Sequence, residues 1–185
     1  DIAEGIGLKK AFGVDRHAGQ RKVPGQYDVI ELGLNYRLNE LQCAIGTEQL
    51  RRVRGFLAAR QGNYEFLSAE LKGIDEIDLL NSSHGDFQSS YYCLSVILND
   101  TLAKERVNII NKLKEKGVGT SIYYPRPVPH LSYYRARYGY SEKDCPNAAV
   151  ISYNSIALPT GPHLDERDME YIASSFKTVI HEVKK

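Results

Sequence analysis

Apolar residues recur every three or four positions through the middle of the chain, which is the spacing of one face of an α-helix. The members of this stripe are Leu38, Leu41, Ile45, Val53, Leu57, Tyr64, Leu67 and Leu71. The pattern predicts one long helix, and Gly73 stands where it would end. Gly46, Gly55 and Gly62 each weaken a helix by about 1 kcal/mol relative to alanine, so a bend is compatible with the pattern.

Shorter patterns surround this helix. Residues 1–12 read as a short helix that stops at Gly13, and residues 14–33 are polar, basic and rich in glycine and proline, which is typical of an irregular connection. The later pattern predicts a strand at 91–98, a helix at 102–116, a strand at 118–124, short helices at 133–138 and 145–153, and a short strand at 156–159.

Two of the later helices have defined ends and apolar faces. The apolar face of the helix at 102–116 is predicted to consist of Val107, Ile110 and Leu113, and Gly117 follows its last turn. The last helix begins at Asp165, whose carboxylate can accept a hydrogen bond from the amide of Asp168. Its predicted inward residues are Met169, Ile172, Phe176, Val179 and Ile180. Strands alternate with helices, but only about three are visible, so the pattern predicts a small layered α/β or α+β domain.

Composition then narrows the class of protein. Of the 185 residues, 42% are hydrophobic and 25% are charged, which is close to the globular average. Lysine and arginine total 24 against 23 acidic residues, so the formal charge of +1 gives no reason to expect nucleic acid as a partner. The longest apolar run, residues 91–98, is far shorter than the about 20 residues of a membrane helix. The first residues lack methionine and show no signal-peptide pattern, so we expect no membrane segment and no leader.

Cysteine and histidine usage argues against metal and disulfide frameworks. Cys43, Cys93 and Cys145 are widely spaced and form no CxxC motif, which favours a reduced, cytoplasmic protein. No histidine pair has the HxxxH or HExxH spacing, so we expect no metal site. Cys43 lies at a helical position that we expect to be partly buried, and we interpret it as a small hydrophobic residue rather than a nucleophile.

Residues 33–42 carry polar side chains into the start of the long helix. Asn35 and Arg37 stand near its predicted N-terminus, where backbone amides and the helix dipole favour an anion. This arrangement suits a phosphate. The alternative is purely structural, with Asn35 capping the helix and Arg37 pairing with Glu40 or Glu31.

Residues 123–130, Tyr-Tyr-Pro-Arg-Pro-Val-Pro-His, bring two phenols, a guanidinium and an imidazole onto a backbone stiffened by proline. Such a segment suits recognition of a sugar or a nucleotide. The alternative is a proline-braced turn that carries ordinary surface aromatics.

Together these segments resemble a known family. Residues 33–46, Gly-Leu-Asn-Tyr-Arg-Leu-Asn-Glu-Leu-Gln-Cys-Ala-Ile-Gly, closely resemble the G-Y-N-Y-R-M-x-E-[LI]-Q-A-A-[IL]-G segment of DegT/StrS-type pyridoxal-phosphate (PLP) sugar aminotransferases. The family's G-I-x-T-x-x-H-Y-x-P-x-H, Y-Y and S-L-P elements are similar, in the same order, to residues 116–125 with Pro129-His130, Tyr133-Tyr134 and Ala157-Leu158-Pro159. Residues 9–16 are similar to its L-R-x-H-G-x-x-R stretch. The shared order and spacing make the resemblance specific.

The resemblance implies the aspartate-aminotransferase fold type and amino transfer, typically from glutamate to a nucleotide-linked keto sugar, through PLP. In this family the Schiff-base lysine lies in a large N-terminal domain, ahead of the part that this chain resembles. Lys9, Lys10 and Lys22 do not stand in the family's lysine motif, so we assign no catalytic residue to the chain. We expect a C-terminal portion that does not transaminate or bind PLP by itself.

Site residues follow from the resemblance position by position. Asn35 resembles the residue that reaches across a homodimer to the PLP phosphate of the neighbouring subunit, and Arg37 is its companion for a cofactor or substrate phosphate. Tyr124 and His130 match positions that border the sugar-nucleotide site. Tyr123 stands where the family often has histidine.

The resemblance also implies a division of the chain. Residues 1–37 would be a remnant of the large domain with the inter-subunit loop, residues 38–73 a connecting helix, and residues 74–185 a small C-terminal domain. We expect the loop at 14–33 to be disordered or poorly packed without the large domain. The rival interpretation, which shares this fold, is a non-catalytic sugar-nucleotide-binding or regulatory domain.

Overall fold

The computed structural model describes residues 1–15, 23–80 and 82–184, with all their side chains except that of Ser83. The chain divides into two compact units, Asp1–Arg52 and Val53–Lys185. This division cuts through the long helix. The three-part organisation expected from the family resemblance stays a prediction.

The N-terminal unit begins with helix α1 (Ile2–Lys9), as the pattern predicts. Asp1 caps it by accepting a hydrogen bond from the amide of Glu4 at 2.8 Å. The chain then turns at Gly13, where φ is +68° and a Cβ atom would lie 1.8 Å from the carbonyl oxygen of Glu31. Only glycine permits this approach, so Gly13 allows the returning chain to pass close to the turn.

The two ends of the connection after Gly13 are hydrogen-bonded to each other. Val14 and Val29 form an isolated antiparallel bridge, and the amide of Asp15 donates to the carbonyl of Asp28 at 2.9 Å. The prediction of a poorly packed loop at 14–33 falls partly on residues 16–22, which lie outside the described residues, and it stays a prediction.

Helix α2 (Glu40–Leu71) confirms the prediction of one long helix. It runs through its three interior glycines, and Gly73 follows its end with φ of +91°. Its apolar residues differ in burial: Tyr64, Leu67 and Leu71 are buried, whereas Leu41 is 71% exposed. Cys43 is exposed, so the expectation that it is partly buried is wrong. Helical spacing identifies a face but does not show that another element covers it.

A three-stranded antiparallel sheet forms the centre of the C-terminal unit within the described residues. Its strands are β1 (Ile77–Leu79), β4 (Cys93–Leu98) and β5 (Ser155–Pro159), in the order β1-β4-β5. The register places Leu98 opposite Ile77 and Leu94 opposite Leu158. Between β1 and β4, strands β2 (Ser83–His84) and β3 (Phe87–Gln88) form a separate hairpin. The predicted strands at 91–98 and 156–159 are confirmed, while β1 was not predicted because only three residues pair.

The predicted strand at 118–124 is wrong. Of this segment only Ser121 pairs with the sheet, in an isolated bridge to Ala157 with N···O distances of 3.1 and 2.8 Å. Gly119 favours irregular backbone, and Pro125 has no amide to continue a ladder. The segment therefore crosses the sheet edge at one point and leaves it.

The described part of the C-terminal unit contains five further helices. They are α3 (Asp100–Ala103), α4 (Arg106–Glu115), α5 (Ser132–Tyr138), α6 (Pro146–Asn154) and α7 (Glu166–Val183), with a 3-10 turn at Val128–His130. The single helix predicted at 102–116 is thus two helices. Its predicted face is partly wrong, because Val107 is exposed while Ile109 and Leu113, four positions apart, are buried.

Helix α7 matches its prediction in detail. The carboxylate of Asp165 accepts from the amide of Asp168 at 3.0 Å, and the carboxylate of Asp168 accepts in return from the amide of Asp165. All five predicted inward residues are buried. They join the buried residues of α2, α4, β4 and β5 in one core. The architecture confirms a mixed helical domain with a small sheet, and no described helix is long and apolar enough to span a membrane.

Candidate cofactor and substrate site

The predicted phosphate-binding residues form a pair in the N-terminal unit. The Nε of Arg37 donates to the Oδ1 of Asn35 at 3.3 Å, and the Arg37 guanidinium lies 5.3 Å from the centre of the Phe12 ring. Asn35 is anchored through its backbone, because it forms an antiparallel bridge with Ala11. Both side chains are exposed. The amide group of Asn35 and the outer nitrogens of Arg37 are donors, which is the chemistry that a phosphate requires.

The structural alternative for these residues is not what the structure shows. Asn39, not Asn35, caps α2: its Oδ1 accepts from the amide of Gln42 at 2.8 Å, and Gln42 Oε1 accepts from the amide of Asn39 at 3.1 Å. Glu31 pairs with Lys9 at 3.0 Å. Asn35 and Arg37 are therefore not consumed by the helix cap.

In the C-terminal unit, Tyr123 joins a cluster of groups that are distant in sequence. Its hydroxyl lies 3.5 Å from that of Tyr92, and the two rings pack edge to face with centroids 5.6 Å apart. The guanidinium of Arg60 lies 5.3 Å from the centre of the Tyr92 ring and donates to the Tyr92 carbonyl at 3.0 Å. Sequence reasoning found Tyr123 but missed Arg60 and Tyr92, because no local pattern connects α2 to the start of β4.

The two phenols influence each other electrostatically. Hydrogen bonding with Tyr92, and then with Ser121, lowers the pKa of Tyr123 below its ordinary value. The hydrogen bond to Tyr123 raises the pKa of Tyr92. Either hydroxyl can donate to the other, and the one that accepts keeps its own hydrogen for another acceptor.

Tyr124 and His130 are placed differently from Tyr123. Tyr124 is 71% exposed, and its ring contacts that of Tyr123 edge to face. His130 is only 2% exposed, and both its ring nitrogens are engaged: Nε2 lies 2.8 Å from the backbone carbonyl of Asp144, and Nδ1 lies 3.2 Å from the hydroxyl of Tyr153. Because a carbonyl only accepts, Nε2 carries the hydrogen. His130 thus fixes the end of the proline segment, and its contact with substrate stays a prediction.

No group of three or more histidine, cysteine or acidic residues within the described ranges is arranged to hold a metal ion. The three cysteines are free. The candidate groups described above are hydrogen-bond donors and aromatic rings.

Comparison with known proteins defines the class. Residues 1–177 match the model of the DegT/DnrJ/EryC1/StrS aminotransferase family. The chain belongs to this family, as the sequence motifs predicted.

Similar proteins give the family some detail. The chain is 23% identical over 188 residues to the spore coat polysaccharide biosynthesis protein SpsC of Bacillus subtilis, covering 97% of this chain and 47% of that protein. It is 23% identical over 159 residues to the UDP-4-amino-4,6-dideoxy-N-acetyl-beta-L-altrosamine transaminase of Campylobacter jejuni, covering 85% of this chain and 41% of the other. The chain thus spans less than half the length of these curated relatives.

A solved structure confirms the fold. The aminotransferase PseC of Helicobacter pylori, involved in the biosynthesis of pseudoaminic acid, superposes with a TM-score of 0.84 at 20% identity, covering 97% of this chain and 46% of that one. The predicted fold class, the corresponding part of a PLP-dependent sugar aminotransferase, is confirmed.

Proposed function

We propose that the full-length protein is a PLP-dependent nucleotide-sugar aminotransferase, and that this chain supplies donors for the cofactor phosphate and part of the sugar-nucleotide surface. The observation that carries the proposal is the Asn35–Arg37 pair, which lies in the most family-like segment and is left free by the helix cap. Relatives that match most of the chain are named as a polysaccharide biosynthesis protein and a transaminase. They do not favour the rival of a non-catalytic binding domain.

The donors of the N-terminal unit fit a phosphate group. Asn35 Oδ1 is occupied by Arg37, so the amide of Asn35 presents its NH2 group, and Arg37 adds a permanent positive charge. PLP, when bound, supplies the electron sink for amino transfer. The part of these two residues is to anchor and orient its phosphate, and they move no proton.

Tyr123 and Tyr124 would border the sugar nucleotide. Their edge-to-face rings offer an apolar surface with hydroxyl donors, a combination suited to a sugar or a base. His130 would act beneath them by fixing the end of the segment.

We further propose that two copies share their active sites in a cytoplasmic homodimer. The segment after residue 33 and the first turns of α2 expose several large apolar side chains. These are Leu34, Tyr36, Leu38, Leu41 and Ile45. Apolar surface concentrated in this way favours association. Free cysteines suit a reducing compartment.

The cofactor role is tested by titrating PLP into the full-length protein and following visible absorbance, then assaying 2-oxoglutarate released from glutamate with a UDP-linked keto sugar. R37M is expected to weaken PLP binding about tenfold, since a hydrogen bond to a charged group contributes about 1.5–3 kcal/mol. K10M removes an exposed charge from the same unit without touching the pair. Equal PLP affinity in both variants would refute the role of Arg37.

The homodimer is tested by sedimentation of the full-length protein. L41E places a charge on the exposed apolar stripe and is expected to shift the protein toward monomer. Q49E adds the same charge on the same helix at a polar position. A monomeric parent protein, or dissociation by Q49E alone, would contradict the proposal.

A further inference from the structure

A cleft lies in the C-terminal unit, at the edge of the sheet. Its volume is about 260 Å³, and its polar lining includes Arg60 from α2, Tyr92, Ser121, Tyr123 and His163. Nothing in the family motifs singles out Arg60 or His163. The family motifs contribute Ser121 and Tyr123 to this lining, and the structure adds Arg60 and His163 to them.

Arg60 is held in place but keeps most of its donors. One N–H donates to the Tyr92 carbonyl at 3.0 Å, and the guanidinium lies over the Tyr92 ring. A guanidinium has five N–H donors, so four stay available for a ligand. These contacts orient the side chain before any ligand arrives, which reduces the entropic cost of binding.

The charge of Arg60 has no counter-charge in the cleft. None of the described residues that line it is acidic. Within the same described ranges, no carboxylate lies within ion-pair distance of Arg60, whereas Arg51, Arg135 and Lys177 are all paired. An oriented, unneutralised guanidinium in a concave site favours an anion.

The hydroxyl groups reinforce this preference. The hydroxyls of Tyr92 and Tyr123 lie 3.5 Å apart, and when Tyr92 is the donor in this pair the hydrogen of Tyr123 is free to point toward a ligand. The cleft therefore offers two kinds of donor to one ligand, the N–H groups of Arg60 and the O–H of Tyr123.

One wall of the cleft contains Gly161 and His163. A Cβ atom at this position would lie 2.4 Å from the imidazole of His163, so glycine lets the ring fold back over the turn. The side-chain Nδ2 of Asn63, three residues after Arg60 on α2, donates to the carbonyls of Gly161 and Leu164 at 3.0 and 3.2 Å. The same helix thus positions both the cation and the wall.

We infer that this cleft binds a carboxylate group, held by the guanidinium of Arg60 and the hydroxyl of Tyr123. One fixed guanidinium matches the single charge and planar fork of a carboxylate. A phosphate dianion would call for more positive charge. Among the substrates of an aminotransferase, the acidic amino donor carries such a group, and this last assignment rests on the proposed function.

The test is a titration of the full-length protein with sodium glutarate, followed by NMR at the amides of Ser121, Tyr123 and Gly161. R60M is expected to raise the Kd for glutarate at least tenfold, since it removes charge-assisted hydrogen bonds. R60K keeps the charge but loses the forked donor geometry, so its Kd for glutarate should lie between those of the parent protein and R60M. Y123F should raise the Kd a few fold while the backbone spectrum is retained.

The matched control is R54M, which removes a positive charge from the same helix outside the cleft. Equal glutarate affinity in R60M and the parent protein would overturn the inference, as would an equal loss in R54M. Inorganic phosphate displacing glutarate at lower concentration would assign the cleft to phosphate instead and also overturn it. Glutarate binding that depends on Arg60 in a protein without amino-transfer activity would refute the proposed function and leave the carboxylate site standing.

Discussion

The two ends of the long helix use similar residues in opposite ways. In its C-terminal part Leu67 and Leu71 have no exposed surface, whereas in its N-terminal part Leu41 and Leu50 are each more than 70% exposed. The apolar stripe is continuous in sequence, but only one part of it packs against a core. The comparison shows that helical spacing records a face able to be buried, and that the neighbouring elements decide whether it is.

Each of the two units is accordingly stabilised by a different kind of internal interaction. Among the described residues of Asp1–Arg52, no large apolar side chain is buried, and the unit depends on backbone hydrogen bonds, helix caps and close glycine contacts. Its ion pair between Lys9 and Glu31 is exposed and contributes little. The C-terminal unit has a continuous core of leucine, isoleucine, valine and aromatic residues.

The largest expected effect separates the two parts of α2. In the 185-residue chain, L67A should lower the free energy of unfolding by about 3–5 kcal/mol, because it opens a cavity in the core. L41A makes the same chemical change at an exposed position and should change it by less than about 0.5 kcal/mol. Chemical denaturation followed by circular dichroism measures both. A comparable loss in L41A would mean that the N-terminal part of the helix packs in solution.

A smaller effect is expected for the buried imidazole. H130A leaves the carbonyl of Asp144 without its donor and opens a small cavity, so it should destabilise the C-terminal unit by about 1–3 kcal/mol. H130Q keeps both a donor and an acceptor and should recover part of this loss. Denaturation of the three proteins measures the difference, and an H130A variant as stable as the parent would show that the two hydrogen bonds do not form.

Removing a helix cap should have a different effect on stability in each of the two units. Asp165 caps α7, whose face is buried, so D165A should cost about 1 kcal/mol of global stability. Asn39 caps the exposed start of α2, so N39A should instead speed hydrogen exchange of the amides at 40–43 and leave the unfolding of the C-terminal unit unchanged. Global destabilisation by N39A equal to that by D165A would contradict this separation.

The smallest effect concerns the turn that receives the His130 hydrogen bond. The backbone amide of Ser141, and then its hydroxyl, lower the pKa of Asp144. A lowered carboxyl pKa stabilises the fold above the unfolded-state value of about 3.9, and the gain is lost as pH falls through the folded-state value. The parent should therefore be more stable than D144N at neutral pH, and thermal unfolding should show the difference shrinking below about pH 4. A difference that persists at acid pH would exclude the carboxylate as its source.

Some contacts of the candidate site join residues that are close in sequence, and others join residues that are far apart in sequence. Asn35 and Arg37 are two positions apart, so their pairing was open to sequence reasoning, although the capping role passed to Asn39. Tyr123 was found from its motif, but Arg60 and Tyr92 stand 32 residues apart and meet only through packing. His130 was found by its motif, but no local pattern indicates that its ring is buried against Asp144 and Tyr153.

The sequence by itself determined the helices with strong periodicity and caps, the two longer strands of the sheet and the family, because these depend on local spacing and contiguous motifs. Only the tertiary structure decided which part of α2 is covered, that residues 118–124 touch the sheet at a single pair, and that Arg60 enters a cleft with Tyr123. The physical reason is that burial and charge pairing depend on groups that folding brings together from distant parts of the chain. The local sequence does not indicate which groups these are.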